Sequence, residues 1–258
     1  MQWIDTHTHL YLEQFDHDRD AMLGRAFDAG IVKLLLPNID RDSIDAMLAL
    51  CDRYPDKCLP MMGLHPTSVK EDAELQLKAV EDQLSRRKYC AIGEIGIDLY
   101  WDKTYYDAQL KAFRLQLDWA KELDLPVAIH TREAFPLILQ LVEEAQDGRL
   151  KGVFHCFSGN GEDARRIMDI GFFMGIGGII TYKKSTLPEL IKQVPTDYLL
   201  LETDSPFLPP TPHRGKRNES SFLVETARCL AEIKSISKEE LAQITTRNAM
   251  NLFKIKEI

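Results

Sequence analysis

Long apolar runs are missing from this 258-residue chain, and no tract of it is compositionally simple. A membrane-spanning helix needs about 20 consecutive apolar residues, so none is expected. Cysteine is scarce as well: Cys51, Cys58, Cys90, Cys156 and Cys229 are five, an odd number, with no C-x-x-C pair among them. That excludes a disulfide framework and a cysteine zinc site, and we expect reduced core residues in a cytoplasmic protein. The start, Met1-Gln2-Trp3-Ile4-Asp5-Thr6-His7, lacks the basic and apolar regions of a secretory leader. Positive charge is also in deficit, 32 Lys and Arg against 40 Asp and Glu for a net charge of −8, which argues against a polybasic nucleic-acid binder. An enzyme that grips a few phosphates locally is not excluded by that balance. Nothing in the pattern points to an obligate protein partner.

What the chain does have is rhythm. Short β-type apolar runs recur, each followed by a longer stretch of helical spacing. They are Gln2 to Ile4, Ile31 to Leu36, Cys58 to Gly63, Cys90 to Gly93, Val127 to His130, Gly152 to Phe157, Phe172 to Ile176 and Tyr198 to Glu202. Between the fourth and fifth, Leu110, Phe113, Leu117 and Ala120 form one apolar stripe and predict a helix from about Tyr105 to Leu123. Parallel strands need crossover helices, and eight such units in about 250 residues predict a (β/α)8 TIM barrel of the α/β class. An open, doubly wound sheet is the alternative. No linker-like break in composition appears, so residues 1–258 read as one domain, with outer-layer helices at about Ser221 to Ile233 and Lys238 to Phe253.

Ionisable residues stand at the C-terminal ends of these runs, the end where barrel enzymes place their chemistry. His7 and His9 follow the first run, His65 the third, Glu94 the fourth, His130 the fifth, His155 the sixth and Asp204 the eighth. Burying such groups at the ends of apolar strands is costly unless something pairs with them, and a divalent cation does so. Strand alternation puts His7 and His9 on one side, with Asp5 sharing it. The same alternation puts Phe157 on the side of His155 and sends Cys156 into the helix-facing layer. Imidazole and carboxylate suit Zn²⁺, Mn²⁺ or Fe²⁺, and a site rich in carboxylate and water accepts Mg²⁺. Glu202 is placed to hold a histidine in one tautomer. His65 in Gly63-Leu64-His65-Pro66 either touches substrate or a water, or pins its loop. His17, among charged neighbours, reads as solvated.

Basic residues gather in the loops after the seventh and eighth runs: Lys183 and Lys184, then His213, Arg214, Lys216 and Arg217. That loop pair often binds phosphate in barrels, and arginine and lysine suit phosphate oxygens. Lys184, Arg214 and Lys216 are the candidate phosphate contacts, and Tyr100 and Trp101 candidates for stacking on a base.

The segments Asp5-Thr6-His7-Thr8-His9-Leu10, Gly93-Glu94-Ile95-Gly96-Ile97-Asp98, His155-Cys156-Phe157-Ser158-Gly159 and Glu202-Thr203-Asp204-Ser205-Pro206 together resemble the TatD-type deoxyribonucleases. The resemblance covers almost the whole chain, through Gly63-Leu64-His65-Pro66, Arg214-Gly215-Lys216-Arg217-Asn218 and Asn248-Ala249-Met250-Asn251-Leu252-Phe253. It implies an amidohydrolase-superfamily barrel, metal-dependent cleavage of DNA, and 3′-to-5′ exonuclease action on single strands. It carries His7, His9, Glu94, His130, His155 and Asp204 over as metal ligands. On this reading two divalent ions (Mg²⁺, Mn²⁺ or Zn²⁺) bind per chain. His7, His9 and Asp204 hold one, His130 and His155 the other, Glu94 bridges them, and Asp204 takes the proton of the attacking water. Two positions depart from the family pattern: Ser220 stands where proline is frequent, and Tyr11 where aspartate is frequent.

Overall fold

The computed structural model describes residues 1–256. Every apolar run becomes a parallel strand: β1 (Trp3–Asp5), β2 (Ile31–Pro37), β3 (Cys58–Met62), β4 (Ala91–Asp98), β5 (Val127–Arg132), β6 (Gly152–Phe154), β7 (Phe173–Ile176) and β8 (Leu199–Leu201). Their order in the sheet is sequential from β1 to β8, with no reversal. A doubly wound sheet needs such a reversal, so that alternative is overturned. The seam is drawn together where Thr6 N donates to the Leu201 carbonyl at 3.0 Å and Thr6 Oγ1 donates to the same oxygen at 3.0 Å. The architecture is the (β/α)8 barrel.

Strand alternation sorts the core into two compartments. Ile4, Leu35, Met61, Ala91, Ala128, Val153 and Leu200 form one cluster, which fills the barrel interior. Their neighbours Trp3, Leu34, Leu36, Ile92, Ile129 and Phe154 belong to the larger cluster shared with the surrounding helices. Those helices are α1 (Arg19–Asp28), α2 (Ile44–Arg53), α3 (Ala73–Arg86), α4 (Tyr106–Leu123), α5 (Phe135–Ala145), α6 (Gly161–Asp169), α7 (Leu187–Ile191), α8 (Leu223–Lys234) and α9 (Lys238–Leu252). The stripe expected near residues 105–123 is α4, with Phe113, Leu117 and Ala120 buried. One expectation changes: α9 is more than an outer-layer helix, because Ala249, Leu252 and the following Phe253 join the interior cluster and close the barrel at the end remote from His7 and Glu94.

Some strand ends also shift, for local reasons. β6 stops at Phe154 because Cys156 turns to φ 48°, a left-handed conformation that ends the ladder. β4 runs on past the expected Gly93 to Asp98, pairing Gly96 with His130 of β5. Only glycine fits there: its φ is 155°, and a Cβ would collide with the His130 carbonyl oxygen.

Candidate metal centre

The exits of β1, β3, β4, β5, β6 and β8 bring five of the chain's seven histidines around one carboxylate. Glu94, in β4, is buried at the top of the barrel interior. Its Oε2 faces His7 Nε2 at 3.1 Å and His9 Nε2 at 3.5 Å. Its Oε1 faces His155 Nε2 at 2.9 Å, His130 Nδ1 at 3.0 Å and His65 Nε2 at 3.3 Å. Asp204 closes the first group, its Oδ1 lying 3.6 Å from His9 Nε2 and 3.9 Å from His7 Nε2. The sequence-predicted ligands are therefore brought to one place, and His65 lies among them rather than out on the rim.

His7 and His9 lie past the end of β1, so loop geometry, not strand alternation, aims their rings. Asp5 does not share their side. Its carboxylate accepts from Thr203 N at 2.9 Å, Thr203 Oγ1 at 2.7 Å and Ser220 Oγ at 2.6 Å, which ties the exits of β1 and β8 together. Asp204 N in turn donates to the His7 carbonyl at 2.9 Å. Burial pushes the Asp5 carboxyl up to about 7, against the lowering effect of those hydrogen bonds. The placement of Phe157 is also corrected. With Cys156 in the left-handed region alternation fails, so Phe157 joins the helix-facing core against Phe135. The Cys156 thiol is pushed up by burial and then by Asp204 and Glu202.

Each imidazole can present one nitrogen to the centre, and its other nitrogen decides which. Asp98 Oδ2 sits 2.9 Å from His130 Nε2, while Asp98 Oδ1 accepts from Tyr100 N at 2.9 Å and Trp101 N at 3.2 Å. Burial opposes ionisation of Asp98, but His130 and those N–H groups outweigh it and hold its carboxyl below the usual value. An ionised carboxylate only accepts, so His130 keeps a proton on Nε2 and turns Nδ1 to Glu94. For His9 a phenol does this work. Tyr11 OH must donate to the Pro37 carbonyl at 2.6 Å, leaving only its lone pairs for His9 Nδ1 at 3.0 Å. His9 therefore carries its proton on Nδ1 and directs Nε2 inward. His155 Nδ1 lies 3.5 Å from Glu202 Oε1, and Gly175 makes room for Glu202, since a Cβ there would overlap its carboxylate.

The electrostatics are those of a site short of positive charge. Burial disfavours every charged imidazole here, yet Asp204 and Glu94 raise His9 to about 9, and Glu94 and Glu202 raise His155 well above its usual value. His130 is raised by Asp98 and Glu94 against the same burial. His7 goes down, through burial and then through His155, whose ring stacks on it at 3.8 Å. Burial opposes the charge on Glu94, but the surrounding histidines hold its carboxyl well below the ordinary range. Neutral imidazoles would aim lone pairs at carboxylate oxygens, so the arrangement calls for protons or cations in between. Among the described residues the buried His7 Nδ1 and His155 Nδ1 have no hydrogen-bond partner. The donor groups His7–His155–Asp204, His7–His9–Glu94 and His65–Glu94–His130 each have the spacing to hold an ion, and a nitrogen–carboxylate set fits a divalent one.

Of the basic residues, Lys184, Arg214 and Lys216 lie exposed in the loops after β7 and β8, with no hydrogen bond or ion pair to this cluster. Arg214 stacks over Tyr182, its Cζ 3.9 Å from the ring centre. Arg217 is engaged elsewhere, in a two-pronged pair with Asp18 at 2.6 and 2.8 Å, and His213 stacks on Phe222. Sequence reasoning assigned no role to Asp98, Tyr11 or Asn38. Asn38 supports Glu94, its carbonyl accepting from Glu94 N at 3.1 Å while its Nδ2 donates to the Gly63 carbonyl at 2.8 Å. Asp98 left a trace in the sequence, a second carboxylate at the end of the strand that carries Glu94; Tyr11 and Asn38 left none.

A parallel (β/α)8 barrel whose strand exits converge histidines and carboxylates defines the class of metal-dependent hydrolases. A family model described as TatD related DNase matches residues 4–254, and the chain belongs to that family. It is 38% identical over 253 residues to the uncharacterized metal-dependent hydrolase YabD of Bacillus subtilis (strain 168), covering 98% of this chain and 99% of that one. It is 31% identical over 258 residues to the 3′-5′ ssDNA/RNA exonuclease TatD of Pectobacterium parmentieri, covering 98% and 99%. The crystal structure of YjjV, a TatD homologue from Escherichia coli K12, superposes with a TM-score of 0.93 at 32% identity over 98% of each chain.

Proposed function

We propose that the protein hydrolyses phosphodiester bonds of DNA, acting from the 3′ end of single strands. One observation carries this reading: Glu94 turns one oxygen to His7 and His9 and the other to His130 and His155, the geometry of a carboxylate shared between two cation positions. His7, His9 and Asp204 would hold one ion, His130 and His155 the other, with His65 beside the second. Divalent cations bound there would supply Lewis-acid chemistry, acidifying water and offsetting charge on phosphate oxygens.

The protein's own part is positioning and proton transfer. Asp204 is the most solvent-accessible of the carboxylates in the cluster, its side chain 13% exposed against 3% for Glu94, and it takes the proton of the attacking water. Asp98 and Tyr11 fix the inward nitrogens of His130 and His9. Lys184, Arg214 and Lys216 bind phosphates that flank the scissile bond, and the largely exposed Trp101 offers a face to a base. Support for DNA comes from the family description and from the exonuclease named among the relatives.

The test is cleavage of a fluorescent single-stranded oligonucleotide by chelated protein resupplied with Mg²⁺, Mn²⁺ or Zn²⁺. Shortening from the 3′ end that depends on added metal is expected. Turnover of a small phosphoester, lactone or amide with no cleavage of the oligonucleotide would overturn the nuclease assignment.

A further inference from the structure

Most arginines of this chain are tied to carboxylates: Arg217 to Asp18, Arg25 to Glu219 and Arg166 to Glu143. Arg132 is not. Among the described residues its side chain makes no hydrogen bond and no ion pair, although it is exposed in an acidic protein. It is held instead by aromatic faces, its Cζ 3.7 Å from the centre of the Tyr100 ring and 5.3 Å from that of Trp101. Tyr100 and Trp101 are fixed in turn, since their backbone N–H groups both donate to Asp98, the residue that orients His130.

Arg132 closes β5, two residues beyond His130, at the end of the barrel where the ligands converge. Through Tyr100 and Trp101, which are tied to Asp98, and through Asp98, which is paired with His130, it is joined to the same site. A guanidinium stacked by its face keeps all five N–H donors at its edge free and loses little freedom on binding, which suits bidentate contact with phosphate.

We propose that Arg132, buttressed by Tyr100 and Trp101, is a phosphate-binding residue of the substrate channel, and that its ligand is a backbone phosphate of a single-stranded polynucleotide next to the scissile one. The face of Tyr100 then serves the arginine rather than a base. Arg214, stacked on Tyr182 after β8, stands at another part of the rim, so the two arginines favour a polyanionic chain laid across the mouth over a substrate with a single phosphate. This inference rests on the nuclease reading above.

The experiment is KM for a labelled oligothymidylate, measured with the metal-loaded enzyme across a salt titration and paired with anisotropy of the same oligonucleotide on chelated protein. Arg132→Gln should weaken binding about tenfold and flatten the slope of log affinity against log salt by about 0.7, one single-strand phosphate contact. Arg132→Lys should keep most of the slope while losing part of the affinity. Tyr100→Leu, which leaves the charge but removes its support, should fall between wild type and Arg132→Gln. Arg149→Gln, which removes an equal charge from the loop before β6, controls for net charge and should match wild type. An Arg132→Gln slope and affinity equal to those of Arg149→Gln would overturn the assignment and leave the nuclease reading standing. Failure of wild type itself to bind or cleave the oligonucleotide would remove both.

Discussion

Replacing Asp98 by Asn should convert His130 from a good metal ligand into a poor one without moving it. In the native site Asp98 Oδ1 accepts from Tyr100 N and Trp101 N while Oδ2 lies 2.9 Å from His130 Nε2. An amide can satisfy the two backbone donors only with its oxygen, which turns its NH₂ toward His130. Two N–H donors then meet at that contact unless His130 gives up the Nε2 proton and takes one at Nδ1, the nitrogen that faces Glu94 at 3.0 Å. Metal binding would have to reverse that tautomer and break the new hydrogen bond. Loss of comparable partners behind a ligating histidine costs about 10- to 100-fold in metal affinity, roughly 1.4–2.7 kcal/mol. Titration calorimetry with Zn²⁺ or Mn²⁺ measures this directly, and ¹⁵N chemical shifts of His130 in the Zn²⁺-loaded protein report the tautomer. Unchanged affinity, with Nε2 still protonated in the variant, would refute the assignment of Asp98 as the orienting group.

Three further outcomes follow from the same geometry. Glu94→Gln neutralises the carboxylate that faces both His7–His9 and His130–His155, so metal content should drop and hydrolysis should fall by at least about 100-fold; metal analysis with an activity assay checks this, and full loading with full activity would contradict it. Tyr11→Phe deletes the acceptor at His9 Nδ1 and frees the Pro37 carbonyl, so metal affinity should fall about tenfold while the melting temperature of the metal-free protein drops only slightly; calorimetry and thermal unfolding separate the two. Metal binding at neutral pH should release protons. His9 is raised from 6.5 to about 9 in the metal-free protein; its proton stabilises that form fully below 6.5, and the stabilisation is lost as pH climbs through about 9, so apparent metal affinity should rise over that window. Calorimetry in buffers of different protonation enthalpy counts the protons, and a count of zero at neutral pH would contradict the charge assignment.

The barrel was legible because its signal is local and repeated: each apolar run bounded by a helical stretch stands out without knowledge of its neighbours. The cluster of histidines and carboxylates was legible for a related reason, since an ionisable residue at the end of an apolar run needs an explanation wherever it occurs. What failed was alternation carried beyond the strands. Cys156 at φ 48° reverses the side on which Phe157 lies, and Asp5, read as sharing the side of His7, spends its carboxylate on Thr203 and Ser220. The groups behind the ligands were not legible, because their partners lie far along the chain. Asp98 reaches His130 only through the register of β4 against β5, and Tyr11 reaches the Pro37 carbonyl only once β2 lies beside β1. Both positions where the chain departs from the family pattern, Tyr11 and Ser220, turn out to supply hydroxyls to the supports of the site.

The most direct test of the central claim is metal content measured against phosphodiesterase activity. Purified protein would be stripped with chelator, titrated with Mn²⁺ or Zn²⁺, and assayed at each step on a defined single-stranded oligonucleotide, with bound metal quantified in parallel. The site predicts no cleavage by the stripped protein and activity that rises with occupancy to a plateau at two ions per chain, the two sides of Glu94. Full cleavage by metal-free protein, or occupancy of both positions with no hydrolysis of any phosphodiester, would contradict it.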